Sequence, residues 1–301
     1  MPILGAHMSI AGGYYRAVEL AHAAGCDYVQ LFTKNNNQWR AKPLTNEDVD
    51  KFQDALVRHR IRHTTAHTSY LINLASPDSL LWQKSVESFA EELVRAEALG
   101  IPGLVVHPGA YTTSSEQQGI ERVISALDLV HRNLPGLRIQ TLLENTAGQG
   151  SCLGWRFEHL AAMIAGVEQP ERIGVCIDTC HTFAAGYPLG SKADYEATMA
   201  EIGRVVGLKR IKAVHLNDSK TKLGSRVDRH AHIGRGCLGL EAFRYLLNDR
   251  RFAKVPMHIE TAKEQENGEE MDVVNLRTLR SLVERHTGAG SSRSTATRGT
   301  N

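Results

Sequence analysis

Positions 215–230 read HLNDSKTKLGSRVDRH, so His215 closes the apolar run IKAV and Asp228 and His230 follow in one polar segment. Neutral imidazole and carboxylate are the donors that a zinc ion takes from a protein when thiolates are absent. Five more apolar runs end the same way. His67 follows IRHTTA, His107 follows GLVV, Glu144 follows RIQTLL, Asp178 follows IGVCI and Glu260 follows PMHI. Gathering Glu144, Asp178 and Glu260 at one buried place without a cation would be costly like-charge crowding. Asp178 and His181, in DTCH, stand three apart just past a strand and can face one site. Asp228 and His230 alternate, so in an extended loop both point one way while Arg229 points the other. Nine donors are too many for one four-coordinate zinc, which leads to a carboxylate-bridged cluster. Clustered divalent ions suit phosphoryl chemistry, because they activate water and stabilise a leaving oxygen.

Residues so far apart in sequence need a scaffold that brings strand ends together. Short apolar runs predict strands at 3–6, 28–31, 63–66, 104–106, 138–143, 173–177, 211–214 and 257–259. Three- and four-residue apolar spacing predicts helices at 14–24, 46–58, 80–99, 116–132, 157–165, 193–206, 240–247 and 273–285. Thr45 before an acidic first turn reads as an N-cap, and Gly100 before Ile101-Pro102 reads as a helix stop. Eight βα repeats in 301 residues predict an α/β fold, a single (β/α)8 TIM barrel. Its parallel strands end at one face, where the metal site is expected. An open doubly wound sheet usually carries G-x-G-x-x-G after its first strand, and Gly12-Gly13 provides none. The barrel domain is expected over 1–286, with 287–301, nearly free of apolar residues, as a disordered tail.

An apolar fraction of 42% and a charged fraction of 23% are ordinary for a soluble protein. Five cysteines without framework spacing argue for a reducing cytoplasm, and Cys176 and Cys180 read as buried small side chains before they read as zinc thiolates. No apolar stretch is long enough to span a bilayer, and PILGAHMS lacks the pattern of a secretory leader. A net charge of +2 neither demands nor excludes nucleic acid. Of the other histidines, His22, His59, His131, His159 and His286 fall in helical patterns and are expected at the surface. His7, His63, His232 and His258 lie nearer the strands, as candidates to support the ligands.

The segments GVCIDTCH, HLNDSKTKLGSRVDRH, SYLINLA, FTKN and LENTAGQG, long and in fixed order, resemble the endonuclease IV family of apurinic/apyrimidinic endonucleases from residue 3 to about 284. The resemblance implies a barrel holding three zinc ions. His67, His107 and Glu144 would hold the first. Glu144 would bridge to a second, completed by Asp178, His215 and Glu260, and His181, Asp228 and His230 would hold the third. It also implies incision on the 5′ side of abasic sites in double-stranded DNA, leaving a 3′-hydroxyl and a 5′-deoxyribose phosphate, and removal of 3′-blocking groups. Glu144, the bridge, would be the catalytic residue. Tyr70 and Leu71 resemble the wedge that enters the duplex, a role that suits an apolar-aromatic pair on a loop. A monomer without an obligate protein partner or membrane is expected.

Two positions depart from the family pattern. Asn37 stands where a longer polar or basic side chain often inserts into DNA, and Ala262 stands where a proline commonly follows the last ligand strand. Lys34, Arg40, Lys220, Lys222 and Arg226 are further candidates for phosphate contacts. The competing reading is a metal-dependent sugar isomerase or epimerase on the xylose-isomerase-like barrel, which needs one or two ions and no third set.

Overall fold

The computed structural model describes residues 1–284, so the expected tail and His286 lie outside the described residues. Eight parallel strands close into a barrel: β1 (Ile3–Met8), β2 (Tyr28–Phe32), β3 (His63–His67), β4 (Gly103–Val106), β5 (Gln140–Glu144), β6 (Ile173–Asp178), β7 (Ile211–His215) and β8 (Pro256–Ile259). Each strand pairs with its neighbours in sequence order, and β1 closes the ring against β8 with Ile3 opposite Pro256. Helices α1 (Tyr14–Ala23), α2 (Asn46–His59), α3 (Ser79–Ala98), α4 (Glu116–Asn133) and α5 (Phe157–Gly166) follow the first five strands. A short α6 (Thr179–Ala184) and then α7 (Lys192–Val205) follow β6, with α8 (Leu240–Asn248) and α9 (Met271–Ser281) beyond β7 and β8.

The helices start and stop where local chemistry dictates. Thr45 and Asp48 form a reciprocal capping box at α2, which satisfies two backbone donors that the first turn leaves free. Gly100 takes φ +71 beyond α3, a left-handed turn that costs glycine little. Gly5 serves contact instead: a Cβ there would lie 2.0 Å from the Tyr28 carbonyl oxygen, so only glycine lets β1 and β2 approach.

Two apolar regions stabilise the molecule. The larger lies between strands and helices and includes Phe52, Phe89, Phe157, Phe243 and Phe252. Inside the barrel a small cluster of Val105, Leu142, Cys176 and Ala213 fills the middle layer. Tyr28, Thr65 and His258 share the barrel interior, so this layer is partly polar. Alternation along each strand then aims every second residue inward, and the upper inward layer carries the polar side chains.

Three expectations need correction. His131 and His159 are buried, not at the surface: His131 meets the Thr141 hydroxyl, and His159 accepts from the Gly154 amide. β5 begins at residue 140, because the amides of Arg138 and Ile139 are taken by the Glu97 carboxylate. The helix α6 was not expected, since one and a half turns leave no periodicity to read.

Candidate metal centre

His67, Glu144, Asp178 and His215 are the last residues of β3, β5, β6 and β7, while His107 and Glu260 stand one residue beyond β4 and β8. Six side chains thus converge at the C-terminal face of the barrel. Glu144 lies at their centre, fully buried, with His67, His107, His181 and His215 nitrogens at 3.1, 3.1, 3.2 and 3.0 Å from its oxygens. His181 arrives on α6, whose N-cap is Asp178: the Asp178 carboxylate accepts from the His181 amide at 2.8 Å. The turn that starts the helix therefore also sets two donors on one face. His230 and Asp228 come from the segment after β7, and Asp228 lies 3.1 Å from His181 Nε2 and 3.3 Å from His230 Nε2.

Among the described residues five groups have donor atoms within 4.8 Å of one another: His67, His107 and Glu144; Glu144, Asp178, His215 and Glu260; Asp178, His181 and His230; His215, His258 and Glu260; and Cys180, Asp228 and His230. Asp228 also adjoins the third of these. The donors fit divalent ions for a reason independent of spacing. The Nε2 atoms of His181 and His230 are buried and have no hydrogen-bond partner of proper geometry although a carboxylate is near. Imidazole and carboxylate without thiolate suit zinc among biological ions. Cys180 lies near Asp228 and His230, but burial pushes its thiol up to about 12, and it donates to the Arg229 carbonyl.

The electrostatics are those of mutually charged groups. Burial opposes charge on Glu144, yet His215 and His107 hold its carboxyl well below the usual carboxylate range. Burial likewise opposes charge on His181, but Asp178 and Asp228 raise the ring well above the ordinary imidazole value. For His230, Asp228 and Asp178 overcome burial and push the ring up to about 9. Below that pH an incoming ion must displace a proton. Metal uptake at neutral pH should therefore release protons, and affinity should decline as pH falls. Zinc titration calorimetry in buffers of different ionisation heat checks this, and uptake without proton release would contradict it.

Three amides fix the ligands, and sequence reasoning missed them. Gln30 on β2 donates to Glu260 at 2.5 Å and meets His215 Nε2 at 3.3 Å, which turns His215 Nδ1 toward Glu144. Asn217 donates to Asp178 Oδ2 at 2.6 Å and accepts from the Glu260 amide at 2.8 Å. Asn145 accepts from the Asp178 amide, and its carbonyl meets His181 Nδ1. The available signal was a polar side chain inside an apolar strand, YVQLF, and an Asn one or two residues after a ligand. Asn217→Ala should weaken zinc binding by roughly 10- to 100-fold, the usual effect of losing such support. Competition against a chromogenic chelator measures it, and unchanged affinity would show that Asn217 only packs.

The rim carries Tyr70, 67% exposed, with its ring edge-on to Phe32. Leu71 follows it, half-buried, and Asn37 is exposed on a neighbouring loop. The Ser69 hydroxyl donates to the Asn36 carbonyl and ties the two loops together. Lys34 is a correction: it is buried against Ser88, Trp39 and Glu92 and does not face solvent. Arg226 lies over the Trp155 ring and donates to the Gly148 carbonyl. Arg40, Lys220 and Lys222 are exposed. His7 and His258 border Glu260, whereas His63 lies at the far end of β3 and His232 pairs with Glu264.

Comparison with known proteins places residues 18–282 in the family described as xylose isomerase-like TIM barrel. A probable endonuclease 4 of Chloroflexus aggregans is 51% identical over 283 residues, 94% of this chain and 98% of that protein. Among solved structures, endonuclease IV from Thermus thermophilus matches with a TM-score of 0.83 and 38% identity over 93% of this chain and 98% of its own. A D-tagatose 3-epimerase-like protein, with a TM-score of 0.70 and 17% identity over 92% of this chain and 96% of its own, shares the fold alone.

Proposed function

Because the chain belongs to the endonuclease IV family and is a DNA-cleaving hydrolase of that family, we propose that it incises double-stranded DNA 5′ to abasic sites. The products are a 3′-hydroxyl and a 5′-deoxyribose phosphate, and the same site removes 3′-blocking groups. The cofactor is three zinc ions, held by His67, His107 and Glu144; by Glu144, Asp178, His215 and Glu260; and by His181, Asp228 and His230. The observation that carries this reading is Glu144, a buried carboxylate within 3.2 Å of four imidazoles. Bound divalent ions supply an activated water and charge for the leaving oxygen.

The chain's own residues hold those donors and present the lesion. Gln30, Asn145 and Asn217 restrict how the ligand side chains turn, so little reorganisation remains for the reaction itself. A cavity of about 240 Å³ bounded by Tyr70, Asn73 and Thr146 opens against His67 and His107. It falls below the roughly 300 Å³ at which pockets for whole small ligands begin, which suits a sugar without its base. Tyr70 and Leu71 enter the space the missing base leaves, and Asn37 approaches from the tied loop. The protein acts as a monomer in the cytoplasm, its domain spanning 1–286.

Incision of a duplex bearing one tetrahydrofuran abasic mimic, with the ends mapped, tests the reading against epimerisation of a ketohexose. A sugar product without a nick would replace it. The wedge has its own test. Tyr70→Ala with Leu71→Ala should weaken binding to abasic duplex by roughly tenfold, since stacking contributes about 1–3 kcal/mol per base. Binding to intact duplex and metal content should hardly change. Equal losses on both duplexes would mean that the pair only packs the loop.

A further inference from the structure

The opposite mouth of the barrel holds a second concave surface, far from the cluster. His63 begins the strand that His67 ends, so the two mouths lie roughly 13 Å apart along β3. The cleft has a volume of about 770 Å³ and penetrates between the starts of β3, β4, β5, β7 and β8. A Cβ at Gly103 would press on Leu142 at 2.9 Å, so glycine there leaves room at the cleft's inner end, which Thr64, Thr65 and Leu142 also line.

The charge lining this cleft is of one sign. Its walls include Arg60, Arg62, His63 and Lys212 and no carboxylate. Elsewhere several exposed arginines are matched: Arg16 with Glu19, Arg235 with Glu266, Arg277 with Glu269. Among the described residues, Arg60, Arg62 and Lys212 form no ion pair and no side-chain hydrogen bond. Arg60 also occupies a left-handed position, φ 57, at the end of α2, where glycine would be easier. Unmatched cations around a concavity concentrate positive potential, and guanidinium groups suit phosphate oxygens. Leu56, Val57 and Pro256 provide an apolar wall beside them.

We propose that this cleft binds a small organic phosphate of nucleoside-diphosphate size, its phosphates on Arg60, Arg62 and Lys212 and its ring against Leu56, Val57 and Pro256. The volume lies within the range of small-molecule sites. The site is separate from the DNA-cleaving mouth, so the two ligands bind without competition.

Calorimetry with the zinc-loaded full chain at fixed ionic strength tests the proposal, using ADP, inorganic pyrophosphate and adenosine as probes. ADP should bind with a Kd on the order of 10⁻⁴ M, more tightly than either of the others. Arg62→Ala with Lys212→Ala should weaken it at least tenfold, and saturating abasic duplex should leave it unchanged. Photo-crosslinking of 8-azido-ADP to the wild-type chain, mapped to segment 56–65, gives a readout that needs no variant. Absence of ADP binding, competition by the duplex, equal binding of pyrophosphate, or crosslinks confined to the metal mouth would overturn it.

Discussion

Glu144→Gln is expected to lower single-turnover incision of abasic duplex by roughly 10³-fold, the scale of removing an electrostatic group aimed at the reacting centre. Two features make this position so sensitive. Its carboxylate is fully buried, and four imidazoles address its two oxygens at 3.0 to 3.2 Å. Glutamine keeps the shape but has no charge, and its amide nitrogen cannot accept from a ring or bind an ion. The loss should appear in turnover, with abasic duplex still bound through Tyr70, Leu71 and the phosphate contacts. Incision at the wild-type rate would remove Glu144 from the centre.

Asp228→Ala with His230→Ala should release one metal equivalent and slow incision by roughly 10²-fold or more. Among the described residues Asp228 is the one carboxylate facing both His181 Nε2 and His230 Nε2, so without Asp228 and His230 that corner keeps a lone histidine beside Asp178. The barrel should remain folded, because Asp228 lies in a loop with its side chain 41% exposed, and His230 belongs to a two-residue strand, paired with Ser219, that lies outside the barrel sheet. Elemental analysis beside the kinetics checks both halves. A double variant with full metal content would show that the third ion is held elsewhere.

The barrel was legible because the apolar runs and helical periods alternate without a long interruption, and because a ligand type follows so many of the runs. Reading each run as ending one residue early hid a simple fact: His67, Glu144, Asp178 and His215 are themselves the last strand residues. Pattern reading stops a strand at the first charged group, whereas the ladder continues through it, since backbone pairing is indifferent to the side chain above. The helix α6 escaped for the complementary reason, being set by the Asp178 cap and not by an apolar period. His131, His159 and Lys34 were misjudged because burial of a polar residue depends on partners distant in sequence. Thr141 for His131 and Glu92 for Lys34 become neighbours only when the helices pack on the barrel. Gln30, Asn145 and Asn217 carry no charge, so no crowding argument could single them out.

The central proposal is that incision runs through metal held by the nine residues at the barrel mouth. Its most direct test is a zinc titration of chelator-stripped protein, following single-turnover cleavage of a duplex with one tetrahydrofuran site while bound metal is counted. Cleavage should be absent at the start and should rise only as the sites fill, reaching its maximum at three equivalents. Full cleavage by protein that elemental analysis shows to be metal-free would contradict it.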